Sequence, residues 1–127
     1  METHTKPNLI MDKALEFSTK ILNLYSFLIW NNEFILSKQL LRSWTSIGAN
    51  ITEAKFASSK KDFLYKMTIA LKEANETFYW INLLQKSKMF NKNYDEFLHE
   101  SNEIIAILTK ITYTTKKNIE SKKYANS

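Results

Sequence analysis

One glycine and one proline in 127 residues constrain this chain more than any other feature of it. Sheet-rich folds turn often, and tight turns draw on those two residues because glycine reaches positive φ and proline presets the turn backbone. A chain holding only Gly48 and Pro7 has to be built from a few long helices joined by short polar links. Hydrophobic residues make up 44% of the chain, enough for a packed core, and 127 residues lies near the usual size of one domain. The expectation is a single all-α domain over 1–127.

Apolar spacing places the helices. Asn8, just after Pro7, reads as an N-cap, with Asp12 near the positive end of the helix dipole. Ile10, Ala14, Phe17, Ile21, Leu24 and Leu28 then alternate steps of four and three, the seam of a bundle helix over about 9–30. Leu15, Leu22 and Ile29 add a flanking row, which implies a wide buried face. Asn31 and Asn32 read as the break, since asparagine tolerates the left-handed turn that ends helices. A second helix over about 33–57 carries Leu36, Leu40, Ile47, Ile51 and Ala54. Gly48 in its interior costs up to ~1 kcal/mol relative to alanine, which implies close approach of a neighbouring helix.

Ser59 to Asp62 resembles a capping box with aspartate in the glutamate position. It opens a third helix over about 60–88, striped by Phe63, Met67, Ala70, Ala74, Phe78 and Ile81. Asn91 to Asn93 mark the next break. The fourth helix, about 94–115, has Phe97, Ser101, Ile104, Leu108 and Ile111 along its seam. The polar, basic tail 116–127 is expected to fray. Links this short force antiparallel neighbours, so the expected architecture is an antiparallel up-down-up-down four-helix bundle.

Several function classes drop out. With no cysteine there is no disulfide, thiolate metal site or thiol catalysis. The polar segment Met1 to Asn8 lacks the apolar region of a signal peptide, and the densest apolar run, Ile21 to Trp30, is too short to span a bilayer. The cytoplasm is the default location. No glycine-rich phosphate loop or zinc spacing is present, and no histidine is placed as a base for a serine. Glu96 and His99 match the Glu-x-x-His spacing of di-iron bundles. Such a site needs the motif twice, and the other histidine is His4 in the N-terminal segment. A di-metal oxidase is therefore a remote alternative, and no metal, cofactor or small-molecule substrate is expected.

The net charge of +5 is unevenly spread: Lys116, Lys117, Lys122 and Lys123 against Glu120 place +3 of it in the tail. These lysines are the candidate RNA contacts. The charges of the third helix (Lys60, Lys61, Asp62, Lys66, Lys72, Glu73, Glu76) read as a solvated face. Arg42, Ser46, Asn50 and Glu53 share one face of the second helix at steps of four, four and three, and Glu73 and Glu76 lie where they can meet it. This polar set reads first as a buried hydrogen-bond network fixing helix register or an interface, and alternatively as a recognition surface or an acid/base pair. Trp44, Tyr79 and Trp80 exceed what one narrow core stripe per helix holds, and they are the candidate subunit interface.

The run Gln39-Leu-Leu-Arg-Ser-Trp-Thr-Ser-Ile-Gly-Ala-Asn-Ile-Thr-Glu-Ala54, with Ser59-Lys-Lys-Asp-Phe63 and Ile69-Ala-Leu-Lys-Glu-Ala-Asn-Glu-Thr-Phe-Tyr-Trp80, resembles the bacterial 23S rRNA intervening-sequence protein family. The resemblance is close over the second and third helices and one of pattern over the others. It implies a four-helix bundle in a homopentameric ring. Some members are encoded inside inserted segments of large-subunit ribosomal RNA genes. A related family, the accessory variability protein of diversity-generating retroelements, is a basic pentamer that binds nucleic acid and a reverse transcriptase. Arg42, Ser46, Asn50, Glu53, Asp62, Lys72, Glu73, Glu76 and Trp80 fall on motif positions. Trp44 departs from the pattern, which has a small residue there. The resulting expectation is a non-enzymatic oligomeric scaffold that engages RNA or a nucleoprotein partner, with a scaffold for protein partners only as the alternative.

Overall fold

The computed structural model describes residues 6–125, with side chains placed from Leu9 to Lys123. His4 and the rest of the segment before Lys6 lie outside the described residues, as do Asn126 and Ser127. Among the described residues the chain forms four α-helices and no strand: α1 Lys6–Trp30, α2 Leu36–Lys55, α3 Lys60–Ser87 and α4 Asp95–Ala125.

The helix ends follow from local chemistry. α1 is already formed at Lys6, so Asn8 lies inside its first turn rather than capping it. Pro7 is tolerated there because the first turn has no use for its missing N–H. At the other end Asn32 takes φ 63°. The Asn32 N–H donates to Ile29 O at 3.0 Å and the Glu33 N–H to Leu28 O at 2.8 Å, the paired bonds of a Schellman ending. α2 starts at Leu36, not Glu33, because the Glu33 carboxylate serves as its cap. It accepts from the backbone N–H of Ile35 at 3.0 Å, Leu36 at 2.8 Å and Ser37 at 3.0 Å. Ser59 caps α3 by accepting from the Asp62 N–H at 3.0 Å, while the Asp62 carboxylate reaches back to the N–H of Ser58, one residue earlier than a standard box. α3 stops at Ser87, where Lys88 turns left-handed at φ 53°.

The expected fraying after Thr115 is not found: α4 runs on through Ala125. No glycine or proline interrupts residues 116–125. Lys122 and Lys123 in the last turn complement the negative end of the helix dipole, and Ile119 is half-buried. The basic segment is thus displayed on a helix.

The seam residues meet in one core. Phe17, Ile21, Leu24 and Leu28 of α1 join Leu40, Ile47 and Ile51 of α2, Met67, Ala70 and Ile81 of α3, and Ile104, Leu108 and Ile111 of α4. Each fully buried large side chain contributes about 1.5–3 kcal/mol relative to an exposed one. Helices adjacent in sequence pack on one another and α4 closes on α1, whereas the diagonal pairs α1/α3 and α2/α4 make no close backbone approach. Cross-helix pairs set the register. Arg42 meets Glu73 and Glu76 while Glu53 meets Lys66, and Lys13 meets Glu103 while Lys20 meets Glu96 and Glu100. In both seams residue numbers rise along one helix as they fall along its neighbour. Among the described residues no helix is long and apolar enough to cross a membrane.

Candidate functional site

The polar face of α2 divides into separate contacts. Arg42 reaches across to α3, where its guanidinium donates to Glu73 at 3.4 Å and to Glu76, and its Nε donates to Gln39 at 3.3 Å. The hydrogen bond to Glu76, reinforced by the charge of both carboxylates, raises the Arg42 pKa above its ordinary value. Beneath it Ser43 and Thr77 hydroxyls pair at 2.9 Å inside the core. Asn50 turns back on its own helix and donates to Ser46 O at 2.8 Å and Ser46 Oγ at 3.2 Å. Glu53 meets Lys66 at 3.5 Å. Arg42, Glu73 and Glu76 are therefore brought together, Ser46 pairs with Asn50, and Glu53 stands apart with a lysine. Arg42 is half-exposed, and such pairs contribute little, so Arg42→Ala is expected to cost ~1 kcal/mol or less and to lower Tm by about 2–5 °C. Thermal melting by circular dichroism checks this.

Trp44 is not at the surface. It is 3% exposed, its ring packs edge-on against Phe17 at 4.7 Å, and its indole N–H donates to Ser18 Oγ at 2.7 Å. The reason is its position: Trp44 is four residues from Leu40 and three from Ile47, so it shares their core-facing stripe, and Ala14 and Phe17 of α1 leave room for it. Its assignment to a subunit interface is corrected accordingly. Tyr79 is exposed and packs edge-on against the half-buried Trp80 at 5.1 Å.

Outward-facing apolar side chains occur in the links, at Phe34, Ile35, Phe56 and Met89, and as a continuous row on α1. Leu15 is 72% exposed and Leu22 53% exposed, so the row expected to widen the core of α1 is a surface strip. Beside it, Gly48 shows no close neighbour within the chain: a Cβ there would meet nothing within 4 Å. The expected close approach of a neighbouring helix is absent, and a groove lined by Met11, Ala14, Leu15, Ser18, Ile51 and Thr52 runs over the glycine instead. Sequence reading missed this site because a seven-residue leucine row flanking a seam has the same pattern whether it is buried or exposed.

Glu96 and His99 take different partners. Glu96 binds Lys20 at 2.5 Å, which holds its carboxyl below the ordinary range, and His99 Nε2 lies 2.9 Å from Glu103. Among the described residues no three histidine or carboxylate side chains gather as metal ligands. Lys116, Lys117, Lys122 and Lys123 are all exposed on the final turns of α4, with Lys117 over the Tyr113 ring at 5.5 Å.

These features define an all-α four-helix protein whose charged side chains pair across helix seams and whose exposed surface carries an apolar row on α1 and a cluster of lysines on α4. The chain belongs to the 23S rRNA-intervening sequence protein family, which it matches over residues 6–110. It is similar to a protein of unknown function from the S23 ribosomal protein family of Bacteroides thetaiotaomicron, known from a crystal structure. The two share 49% sequence identity and a TM-score of 0.80, over 86% of this chain and 99% of that one. Among curated proteins none matches. Neither the family nor the similar structure is described as an enzyme.

Proposed function

We propose that this protein is a non-enzymatic scaffold: a single-domain, antiparallel up-down-up-down bundle assembled into a homopentameric ring in the cytoplasm, which engages RNA or a nucleoprotein partner. One observation carries the assembly, the exposed Leu15 and Leu22 row running beside the open groove over Gly48. A seven-residue leucine repeat on a helix is what a second helix packs against, and a mid-helix glycine with nothing over it makes sense where a neighbouring copy's side chains sit. The ring of five follows the family resemblance. The RNA half draws on the family's name, which refers to an intervening sequence of 23S rRNA, and on the lysines displayed along α4.

Native mass spectrometry tests the assembly. The wild-type chain of 15.0 kDa is expected to run as a multiple near five. Leu15→Glu together with Leu22→Glu is expected to release folded protomers, because charges on a buried seam have no partner. A wild type that weighs 15.0 kDa in dilute buffer overturns the ring. Gel shift with structured RNA across a salt series tests the other half, with affinity expected to fall steeply as salt rises. The alternative, a scaffold for protein partners only, is favoured by the exposed Trp30, Phe34, Ile35 and Met89 at the loop end. Partners that survive nuclease during co-purification would support it.

A further inference from the structure

The outward face of α3 carries no exposed carboxylate. Its three acids are all turned aside: Asp62 into the cap of its own helix, Glu73 and Glu76 onto Arg42 of α2. The residues left facing solvent are lysines, tyrosines and uncharged polar side chains. Lys61, Tyr65, Lys72, Tyr79 and Lys86 lie along one line, a step of four followed by three steps of seven. Cation and ring alternate over about 38 Å, at 1.5 Å per residue. Tyr65 is 62% exposed and Tyr79 57%. Among the described residues none of the three lysines pairs with a carboxylate, in contrast to Lys13 and Lys20 of α1, which are neutralised by the acidic first half of α4. Tyr79 is steadied by Trp80 behind it.

We infer that this stripe is a binding track for single-stranded RNA, with Tyr65 and Tyr79 stacking on bases and Lys61, Lys72 and Lys86 meeting phosphates. The inference rests on the reading that the protein engages RNA, and it names the form of RNA and the residues. A solvated helix face ordinarily mixes both signs; here the carboxylates are withdrawn and flat rings stand between the remaining cations. The complementary ligand is an extended polyanion that offers an exposed π-face at intervals. A duplex hides its base faces in its own stack, whereas a single strand presents them. An acidic peptide would satisfy the lysines and leave the rings without a counterpart. α3 is diagonal to α1 in the bundle, so the track and the leucine row of α1 lie on opposite sides, and the strand does not compete with the proposed seam between copies.

Fluorescence anisotropy of the full chain with labelled oligouridylate, and with the same strand paired to oligoadenylate, tests this. The wild type is expected to bind the single strand more tightly than the duplex. Tyr65→Ala with Tyr79→Ala should weaken single-strand binding by about tenfold or more while the salt dependence is kept, because stacking is lost and phosphate contacts are not. The double Tyr→Phe variant should bind as the wild type does. Equal affinity for duplex and single strand, or a Tyr→Ala variant that binds undiminished, overturns the track and leaves the RNA reading standing. A wild type that binds neither probe at low salt removes both. The mass of each variant is read alongside: a Tyr→Ala variant that falls apart into protomers makes the stripe a subunit seam, and that outcome also overturns the inference.

Discussion

Replacing Trp44 with alanine is expected to cost about 3–5 kcal/mol of folding stability and to leave the mass of the assembly unchanged. The indole is almost wholly enclosed and joins two helices: it packs edge-on to Phe17 and donates its N–H to Ser18, whose own hydroxyl donates to Ala14 O at 2.6 Å. Truncation removes the ring's burial, its edge-to-face contact, worth about 0.5–1.5 kcal/mol beyond area, and leaves a void between α1 and α2 that neighbouring side chains only partly fill. Domains of this kind have roughly 5–15 kcal/mol in total, so the urea midpoint should fall by about 2 M, given slopes of about 1–3 kcal/mol per molar. Trp44→Phe keeps most of the ring and loses the N–H, and should cost ~1 kcal/mol. If Trp44 were a contact between copies instead, the alanine variant would lose mass at low concentration while the protomer melted as before. Equilibrium urea unfolding and native mass spectrometry on the same samples separate the two.

The helices themselves were legible because their signals are local and redundant. Steps of three and four place Ile10 to Leu28, Asn32 supplies the left-handed turn, and Ser59 begins α3 where its side chain caps it. The scarcity of glycine and proline excludes most competing folds. What lies beyond that was harder to read, for identifiable reasons. The pattern of Leu15 and Leu22 shows that a helix has a second apolar row, not whether this chain or another covers it. Trp44 reads as surplus beside the aliphatic residues of the α2 stripe, yet it lies four residues from Leu40 and three from Ile47, on the face that turns inward. The polarity of residues 116–125 reads as a frayed tail, although a polar helix with lysines in its last turn forms when no glycine or proline breaks it. The Arg42 face joined residues that share a side of α2 but find partners of different kinds, since which α3 residue each one meets depends on tertiary register. The carboxylate-poor face of α3 emerges only when that register is known, because the sequence allows Glu73 and Glu76 either on the solvated face of α3 or against Arg42, and the structure puts both on Arg42.

Glu33→Ala is expected to lower stability by about 2–3 kcal/mol, more than removal of any surface ion pair in the molecule. Glu33 sits in the short link between α1 and α2 and serves both. Its backbone N–H closes the Schellman turn of α1 on Leu28 O. Its carboxylate, on a residue only 7% exposed, gathers three successive N–H groups at the start of α2, with Oε1 taking those of Ile35 and Leu36 and Oε2 that of Ser37. These are N–H groups that no helix can satisfy internally, and a negative charge there also faces the positive end of the dipole. Alanine leaves the backbone turn in place but strands the donors, including that of the fully buried Ser37, where water has little access. Glu33→Gln retains an acceptor oxygen without the charge, so its loss should be about half that of alanine. Glu33→Asp shortens the reach by one methylene and should fall between the two. The order alanine, aspartate, glutamine, wild type in rising urea midpoint is the expected result. A Glu33→Ala variant with an unchanged midpoint would mean that the donors of α2 find water instead, and that the angle between the first two helices is set by Trp44 and the core alone.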